Sequence, residues 1–489
     1  MQTHGAPIKN TMNRNLLVRS AVLASFAALL SGCFVSSVNP QKPELPLPQA
    51  LPQQTAATTA LPDPWWTLFN DPTLNELVDE ALTHNADVQS AAARVAQARA
   101  LLGITNAERW PWLDAQANVT RSKNSAVANN FPGFDLHNTF YTVQGAASFE
   151  VDLWGRYWRA SQSARAQLLN SEFGREATKL SLTGDVARSY FGLIAAAQQL
   201  ARSRDTLSTR EESVRLEKFR YDAGESDEFT FKRAEAEAAA TRKAVHQLEL
   251  EVALRTNAFG VLLGRSPQDL VDRAIRAERT ELPASVMLPA ALPSKVLEQR
   301  PDIGAAEAAL NASAYDIGVA RAQLFPSISL TGVFGSVSPE LDDLFKSPSK
   351  AWSASGNILQ PLFRGGQLRA NVKRAEAVRE QRKAEYARTV QNAFREVLDA
   401  LQGQTLISNV SEANAAQVDA LARASDLAEL RYSQGDISYL ELLDVRRGLY
   451  QAQIDLVAAQ RDSLLNTVDL ALAIGGGLGE RAEALTAKR

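Results

Sequence analysis

The chain has 489 residues, a formal net charge of −3 and a pI near 6.0, which at about 150 residues per domain corresponds to roughly three domains. The near-neutral balance lacks the basic footprint of a nucleic-acid-binding protein, and 45% apolar against 22% charged residues leaves enough to bury a sizeable core. Cys33 is the sole cysteine, which excludes an intramolecular disulfide framework and a cysteine-built zinc site; His4, His84, His137 and His246 show no metal-ligand spacing.

Lys9, Arg14 and Arg19 form a positive region ahead of an apolar run from Ser20 to Leu30. That run has signal-peptide length and is shorter than the about 20 residues of a membrane-spanning helix. Leu30-Ser31-Gly32-Cys33 resembles the lipobox of bacterial lipoproteins. The resemblance implies cleavage before Cys33, a diacylglycerol on its sulfur and an acylated amino group. An ordinary signal peptide with an incidental cysteine is the alternative. Two or three acyl chains anchor stably where one is marginal. Phe34 replaces the Asp typical of inner-membrane retention and points to the outer membrane. Met1 and Met12 are both possible starts. Residues 1–32 are read as signal peptide and 33–64 as anchor and tether. Pro40, Pro43, Pro46, Pro48, Pro52, Pro62 and Pro64 hold the tether extended.

No proline occurs between Pro132 and Pro267, nor after Pro361. Both windows are rich in Ala, Leu, Glu, Arg and Gln, the good helix formers. The pattern from Trp158 to Tyr221 is nearly unbroken, weakened only by Gly174, Gly184 and Gly192; Gln367 to Tyr432 behaves likewise. Some 60 residues at about 1.5 Å each reach about 90 to 100 Å, far beyond the usual helix of about 11 residues. Such rods belong to a coiled coil or a helix bundle, not a compact enzyme.

Short alternating segments interrupt the rods. Leu113, Ala115, Ala117 and Val119 alternate with polar residues, as do Tyr141, Val143, Gly145, Ala147, Phe149 and Val151. Ile328, Leu330 and Phe334 do the same, and so do Trp352, Ala354 and Ile358. Period two gives strands with one apolar face, and about ten residues suits a tilted membrane-spanning strand. A soluble amphipathic sheet is the alternative reading of the strands alone. The linkers 121–138 and 337–350 carry the Gly, Pro, Asn, Asp and Ser of hairpin loops.

The chain also repeats itself. Asp87-Val88 corresponds to Asp302-Ile303, Trp110-Pro111 to Phe325-Pro326, Leu153-Trp154 to Leu362-Phe363, and Arg220-Tyr221 with Gly224 to Arg431-Tyr432 with Gly435. The first repeat is placed at 65–290, with strands 113–123 and 139–152 and long helices 154–222 and 227–263. The second occupies 291–475, with helix 302–324, strands 327–336 and 351–361, and long helices 366–434 and 437–474; a tail of 476–489 follows. Duplication of this kind implies pseudo-symmetric packing. Four strands cannot close a barrel, which needs about eight, and lipid tolerates no open edge. Several chains must therefore combine; a lumen wide enough for organic solutes favours three over two.

The sequence resembles the outer-membrane factor family, the OprM-, NodT- and TolC-like lipid-anchored exit ducts of resistance-nodulation-division efflux systems, over residues 33–475. The resemblance is carried by Trp65-Trp66 with Phe69, Asp71 and Leu74; by Asn85 and Asp87 leading to Ala93-Arg94-Val95; by Arg300-Pro301-Asp302-Ile303; by Phe325-Pro326; and by Arg431-Tyr432 with Gly435 before Leu442-Leu443-Asp444. It implies a homotrimer in which four strands per chain close a twelve-stranded outer-membrane β-barrel on a periplasmic tunnel, or helical barrel, of long α-helices. It implies a periplasmic adaptor and an inner-membrane proton-driven pump as partners, and small-molecule efflux as function. No Walker motif, nucleophile elbow or paired catalytic carboxylates occur, so no enzyme activity, catalytic residue, metal or cofactor is expected beyond the lipid on Cys33. A periplasmic structural or adaptor lipoprotein without a pore, an exported enzyme on a helical scaffold and a protein-secretion duct are the competing readings. Four membrane-length strands argue against the first, the missing catalytic constellation against the second, and the lipobox with Arg300-Pro301-Asp302-Ile303 against the third.

Gly224 and Gly435 are read as helix C-caps, and Asp436 or Ser438 as the cap of the helix that follows the second tip. Leu440, Asp444 and Arg447 share one face, beside Glu441. By the resemblance this face lines a closed periplasmic aperture. Leu440 is then a hydrophobic constriction, Glu441 and Asp444 acidic rings, and Arg447 and Tyr432 latches to neighbouring helices. Without the resemblance it is a solvated helix start that gains from the helix dipole. The first tip has Phe229 and Arg233 where the second has Leu440 and Asp444, which argues against a ring of six equivalent acids.

Overall fold

Alternation along the chain produces one antiparallel sheet, and the proline-free windows produce the helices. The structure, a computed structural model, describes residues 62–125, 137–272, 281–284, 286 and 300–476. Cys33, the signal peptide, most of the tether and nearly all of the 476–489 tail lie outside the described residues.

In chain order, a 3-10 turn at Trp65–Phe69 precedes α1 (Pro72–His84) and α2 (Ala86–Ala107), then β1 (Trp112–Lys123), β2 (His137–Val151), α3 (Arg156–Asp222), α4 (Glu228–Leu262) and α5 (Pro267–Asp272). The second half runs α6 (Pro301–Ala322), β3 (Ser327–Ser338), β4 (Lys350–Leu359), α7 (Gln367–Gln434) and α8 (Tyr439–Ala473). No described helix is long and apolar enough to cross a membrane. Two compact units divide the described chain: one holds 98–125, 137–168 and 309–383, the other the remaining described residues.

In the first unit the sheet order is β1-β2-β3-β4, antiparallel throughout. Register places Leu113 opposite Ala147, Val119 opposite Tyr141, Phe149 opposite Leu330 and Phe334 opposite Trp352. The four apolar sets therefore share one face. Asp114, Gln116, Thr142, Gln144, Ser329, Thr331, Ser353 and Asn357 share the other, where Gln144 donates to Gln116 at 3.4 Å. Every residue of β1 and β4 is exposed, and Leu113 and Trp352 are 81% and 77% accessible on the apolar face. A sheet with two open edges and a bare apolar face lacks the packing that soluble sheets require. The strands intrude further into the hairpin linkers than composition predicts. β2 starts at His137 rather than 139, because His137 pairs with Lys123, and β3 runs to Ser338 rather than 336, because Ser338 pairs with Tyr141. At the opposite ends β2 stops at Val151 and β4 at Leu359, short of the expected 152 and 361. Asp152 then caps α3, accepting from the N–H groups of Tyr157 and Trp158 at 3.1 and 2.8 Å. Trp154 stacks on Phe325 at 4.9 Å and donates to the Pro326 carbonyl.

In the second unit, Trp65, Phe69, Leu74 and Val78 join Tyr190, Phe191 and Ile194 of α3 among the buried side chains. Trp65 donates to Thr183 at 3.1 Å, Tyr190 to Asp71 at 3.0 Å, and Phe69 meets Phe191 edge-on at 4.9 Å. The duplication extends to hydrogen bonds. Asn85, ahead of α2, donates to the Leu262 carbonyl ending α4 at 2.9 Å. Arg300, ahead of α6, donates to the Ala473 carbonyl ending α8 at 2.8 Å. Arg300 also pairs with Asp302 and Glu396, each at 2.8 Å. Each repeat thus ties the start of its helix ahead of the strands to the end of its return helix.

Candidate functional site

Both long rods end in the same device. Gly224 and Gly435 take φ of 75° and 82°, a region open to glycine without a Cβ penalty. The Gly224 and Glu225 N–H groups donate to the Tyr221 and Arg220 carbonyls; those of Gly435 and Asp436 donate to the Tyr432 and Arg431 carbonyls. These paired bonds form a Schellman motif and satisfy the last carbonyls of each helix. The return helices start on side-chain caps. Asp227 accepts from the Thr230 N–H at 2.7 Å, which holds its exposed carboxyl below the usual carboxylate range. At the second tip Ser438, not Asp436, is the cap: it accepts from the Glu441 N–H while Glu441 reaches back to the Ser438 N–H, forming a capping box.

A polar stripe on α3 ties this hairpin to the second one. Ser203, Arg210, Ser213, Glu217 and Arg220 follow one another at seven, three, four and three residues, the spacing of a coiled-coil seam. Ser203 bonds the Tyr450 hydroxyl at 2.8 Å, and the Arg210 guanidinium lies 5.7 Å from the centre of the Tyr450 ring. Arg446 donates to Ser213 at 3.1 Å. Nearest the tip, the Tyr432 hydroxyl donates to Glu217 and accepts from Arg220 at 2.7 Å. Glu217 is 1% exposed and also accepts from Ser226 at 3.3 Å. Burial first, and the Glu217 hydrogen bond second, raise the Tyr432 hydroxyl above its ordinary value. Burial likewise raises Tyr439, with the Glu217 charge next.

A second buried carboxylate organises the other latch. Arg447 pairs with Glu237, which also accepts from Arg210 at 2.9 Å. Arg210 donates further to Thr241 at 2.6 Å. Burial, and then the nearby Arg447 charge, depress the Arg210 guanidinium below its ordinary value. Glu237 therefore stands between two cations that would otherwise repel.

Of the residues predicted from sequence, Tyr432 and Arg447 are joined to α3 and α4 within the chain. Leu440, Glu441 and Asp444 point elsewhere: Leu440 is 50% exposed and both acids are exposed. Among the described residues the Asp444 side chain makes no hydrogen bond or ion pair, and Glu441 is folded back into its capping box. At the first tip Phe229 is 65% exposed, with Arg233 over its ring at 5.6 Å. Sequence alone did not mark Glu217, Glu237, Arg210 and Arg220 as partners; the heptad spacing of polar residues on α3 was the available signal for Arg210, Glu217 and Arg220, and Glu237 on α4 had none. Among the described residues no group of three His, Cys, Asp or Glu side chains is placed to hold a metal ion.

The architecture has close counterparts. A family model described as outer membrane efflux protein matches residues 77–265 and 292–476. The solvent efflux pump outer membrane protein SrpC of Pseudomonas putida is 35% identical over 472 residues, covering 93% of this chain and 98% of its own. The probable outer membrane lipoprotein SilC of Salmonella typhimurium is 32% identical over 454 residues, covering 92% and 96%. The crystal structure of the Campylobacter jejuni CmeC outer membrane channel superposes with a TM-score of 0.83 at 27% identity, covering 89% of this chain and 94% of that one. A duplicated helix–strand–strand–helix plan, a four-stranded sheet with an exposed apolar face, and end-to-end similarity to outer-membrane efflux components place this chain in the outer membrane efflux protein family, as an outer-membrane exit duct.

Proposed function

We propose that three copies of this chain close a twelve-stranded barrel in the outer membrane and continue it into a periplasmic helical tunnel gated at the α7–α8 tips. The single observation behind this reading is the sheet: four paired strands, two open edges, one apolar and one polar face. Lipid leaves no edge unpaired, so β4 of each copy pairs with β1 of the next. The apolar face meets acyl chains and the polar face lines a water-filled lumen. The duct passes small molecules handed over by a periplasmic adaptor and an inner-membrane proton-driven pump, and a diacylglyceryl and acyl group on Cys33 anchors it. Intact-mass measurement of the membrane-extracted protein tests the anchor; an unmodified Cys33, or a start elsewhere, overturns it.

In this reading half-exposed Leu440, and Asp444 with no side-chain hydrogen bond or ion pair among the described residues, meet their symmetry mates at the aperture, with Glu441 beside them. Tyr432 and Arg447 hold each second-repeat hairpin against the first through Glu217 and Glu237. The gate opens when the second hairpin leaves those carboxylates. An adaptor engaging several tips at once supplies the free energy by mass action, without nucleotide. Purified protein in planar bilayers should form discrete, mostly closed, cation-preferring channels. Membranes that stay silent at all protein concentrations would refute the duct.

A further inference from the structure

The charges on the sheet are segregated by face and by height. On the apolar face the paired positions of β1 are Leu113, Ala115, Ala117, Val119, Arg121 and Lys123; those of β4 are Lys350, Trp352, Ala354, Gly356 and Ile358. No acid occupies a strand position on that face. Its fixed charges, Arg121, Lys123 and Lys350, are all cationic and lie at the end far from the helices. His137 pairs with Lys123 at the same end. The polar face carries the opposite sign, with Asp114 and Glu150 the charged strand residues, and Glu150 is engaged by Arg156 at 3.0 Å.

The three cationic side chains are exposed, and none of them forms a hydrogen bond or ion pair with another described residue. Among the described residues the acids at that end are Glu340, Asp342 and Asp343 of the β3–β4 connection, and Asp343 is already paired with Lys346. Height is informative. From Leu113 to Lys123 the strand advances about 33 Å at about 3.3 Å per residue. At a tilt near 40° that is about 25 Å along the barrel axis, the thickness of the apolar band of such barrels. Arg121 and Lys123 therefore stand where acyl chains give way to headgroups, and Lys350 begins β4 about 30 Å along that strand from Leu359 at the helix end, a similar height on the same measure. A cation there costs about 0–1 kcal/mol, against about 2–4 kcal/mol at the midplane, and long side chains can extend further outward.

β1 and β4 are the two edges of the sheet, so within one chain these cations are far apart. Closure of the barrel, on which this inference rests, brings β4 of one copy against β1 of the next. We propose that each such seam forms a binding site for phosphorylated lipid of the outer leaflet, with Arg121 and Lys123 of one copy and Lys350 of its neighbour holding the phosphate groups. The Arg121 guanidinium suits two phosphate oxygens at once, while the lysines act as point charges. The acyl chains lie below, along Val119, Phe334 and Trp352. Three seams give three sites per duct, each bridging two copies, so bound lipid also fastens the barrel.

Native mass spectrometry of the full-length protein, mixed in detergent with lipid A bearing two phosphates, tests the proposal. Dephosphorylated lipid A and phosphatidylethanolamine serve as comparisons. The trimer should retain the phosphorylated lipid about tenfold more than either, as expected for charge-assisted phosphate contacts. The Arg121→Gln, Lys123→Gln, Lys350→Gln variant should remain trimeric and lose that preference, whereas Lys346→Gln should keep it. If the triple variant fails to assemble, Lys350→Gln alone, which leaves β1 intact, should lower retention about threefold on the same grounds. A wild-type trimer without preference for the phosphorylated lipid, or variants that retain it like wild type, overturns the site while leaving the duct standing. A wild-type protein that is not trimeric in the same spectrum overturns the closed barrel and the seam with it.

Discussion

Replacing Tyr432 by Phe removes one hydroxyl from the tip and nothing else. That hydroxyl donates to Glu217, which is 1% exposed, and accepts from Arg220. A hydrogen bond to a buried charged group contributes about 1.5–3 kcal/mol. Ser226 and the Arg220 guanidinium, 3.3 and 3.7 Å from the Glu217 carboxylate, offset part of the loss. About 1.4–2.8 kcal/mol per tip corresponds to a shift of about ten- to a hundredfold toward the released hairpin. Open probability in planar bilayers should rise by that order. Glu217→Gln should raise it less, because a glutamine oxygen still accepts from Tyr432. The double variant should be non-additive, since both changes remove one shared interaction. Alkaline titration supplies a second readout. The closed tip holds the Tyr432 hydroxyl protonated above its ordinary 10.0, with burial the main cause and Glu217 the next. A released Tyr432 titrates near 10, so closure keeps its full advantage below that pH and loses it progressively above. Wild-type channels should stay closed from pH 7 to 9 and open more often above 10. A Tyr432→Phe channel with wild-type open probability at pH 7 would show that the hairpins are held together by other contacts.

Glu237→Gln should loosen the tip more than Arg447→Gln, because the first leaves Arg210 and Arg447 facing each other unneutralised while the second leaves Glu237 paired with Arg210; single-channel open probabilities measure the difference. Leu440→Ala with Asp444→Ala should raise conductance and weaken cation selectivity, and the same changes at Phe229 and Arg233 should do less; equal effects at both tips would move the aperture elsewhere. Gly403→Ala should destabilise despite the better helix propensity of Ala, since a Cβ there falls 2.1 Å from the Asn466 oxygen. Overpacking of about 1–3 kcal/mol outweighs a propensity gain of at most about 1, and thermal unfolding of the detergent-solubilised protein should report a lower midpoint.

Much of this architecture is written locally in the chain. Alternation marks the strands because each has one face for lipid and one for water, so period two survives at full strength. The rods are legible because proline is absent over long windows and because Gly224 and Gly435 take a conformation that other residues resist. Strand ends are less legible: His137 and Ser338 belong to strands because a partner strand runs alongside, which local composition does not encode. The latch partners are harder still. Glu217 and Glu237 look like any solvated helical glutamate until the second repeat packs against them, and only the heptad spacing of Ser203, Arg210, Ser213, Glu217 and Arg220 hints that this face of α3 is covered. Trp65 stands out in sequence only through the family resemblance and becomes core through its contacts with α3.

Closure of the four-stranded sheet by neighbouring copies is the claim on which the duct depends, and the mass of the intact assembly tests it most directly. Native mass spectrometry of the detergent-extracted, full-length protein should give three chains, each with its lipid. A stable monomer would leave β1 and β4 unpaired in the membrane, and a stable dimer would close only eight strands; either result contradicts the twelve-stranded barrel.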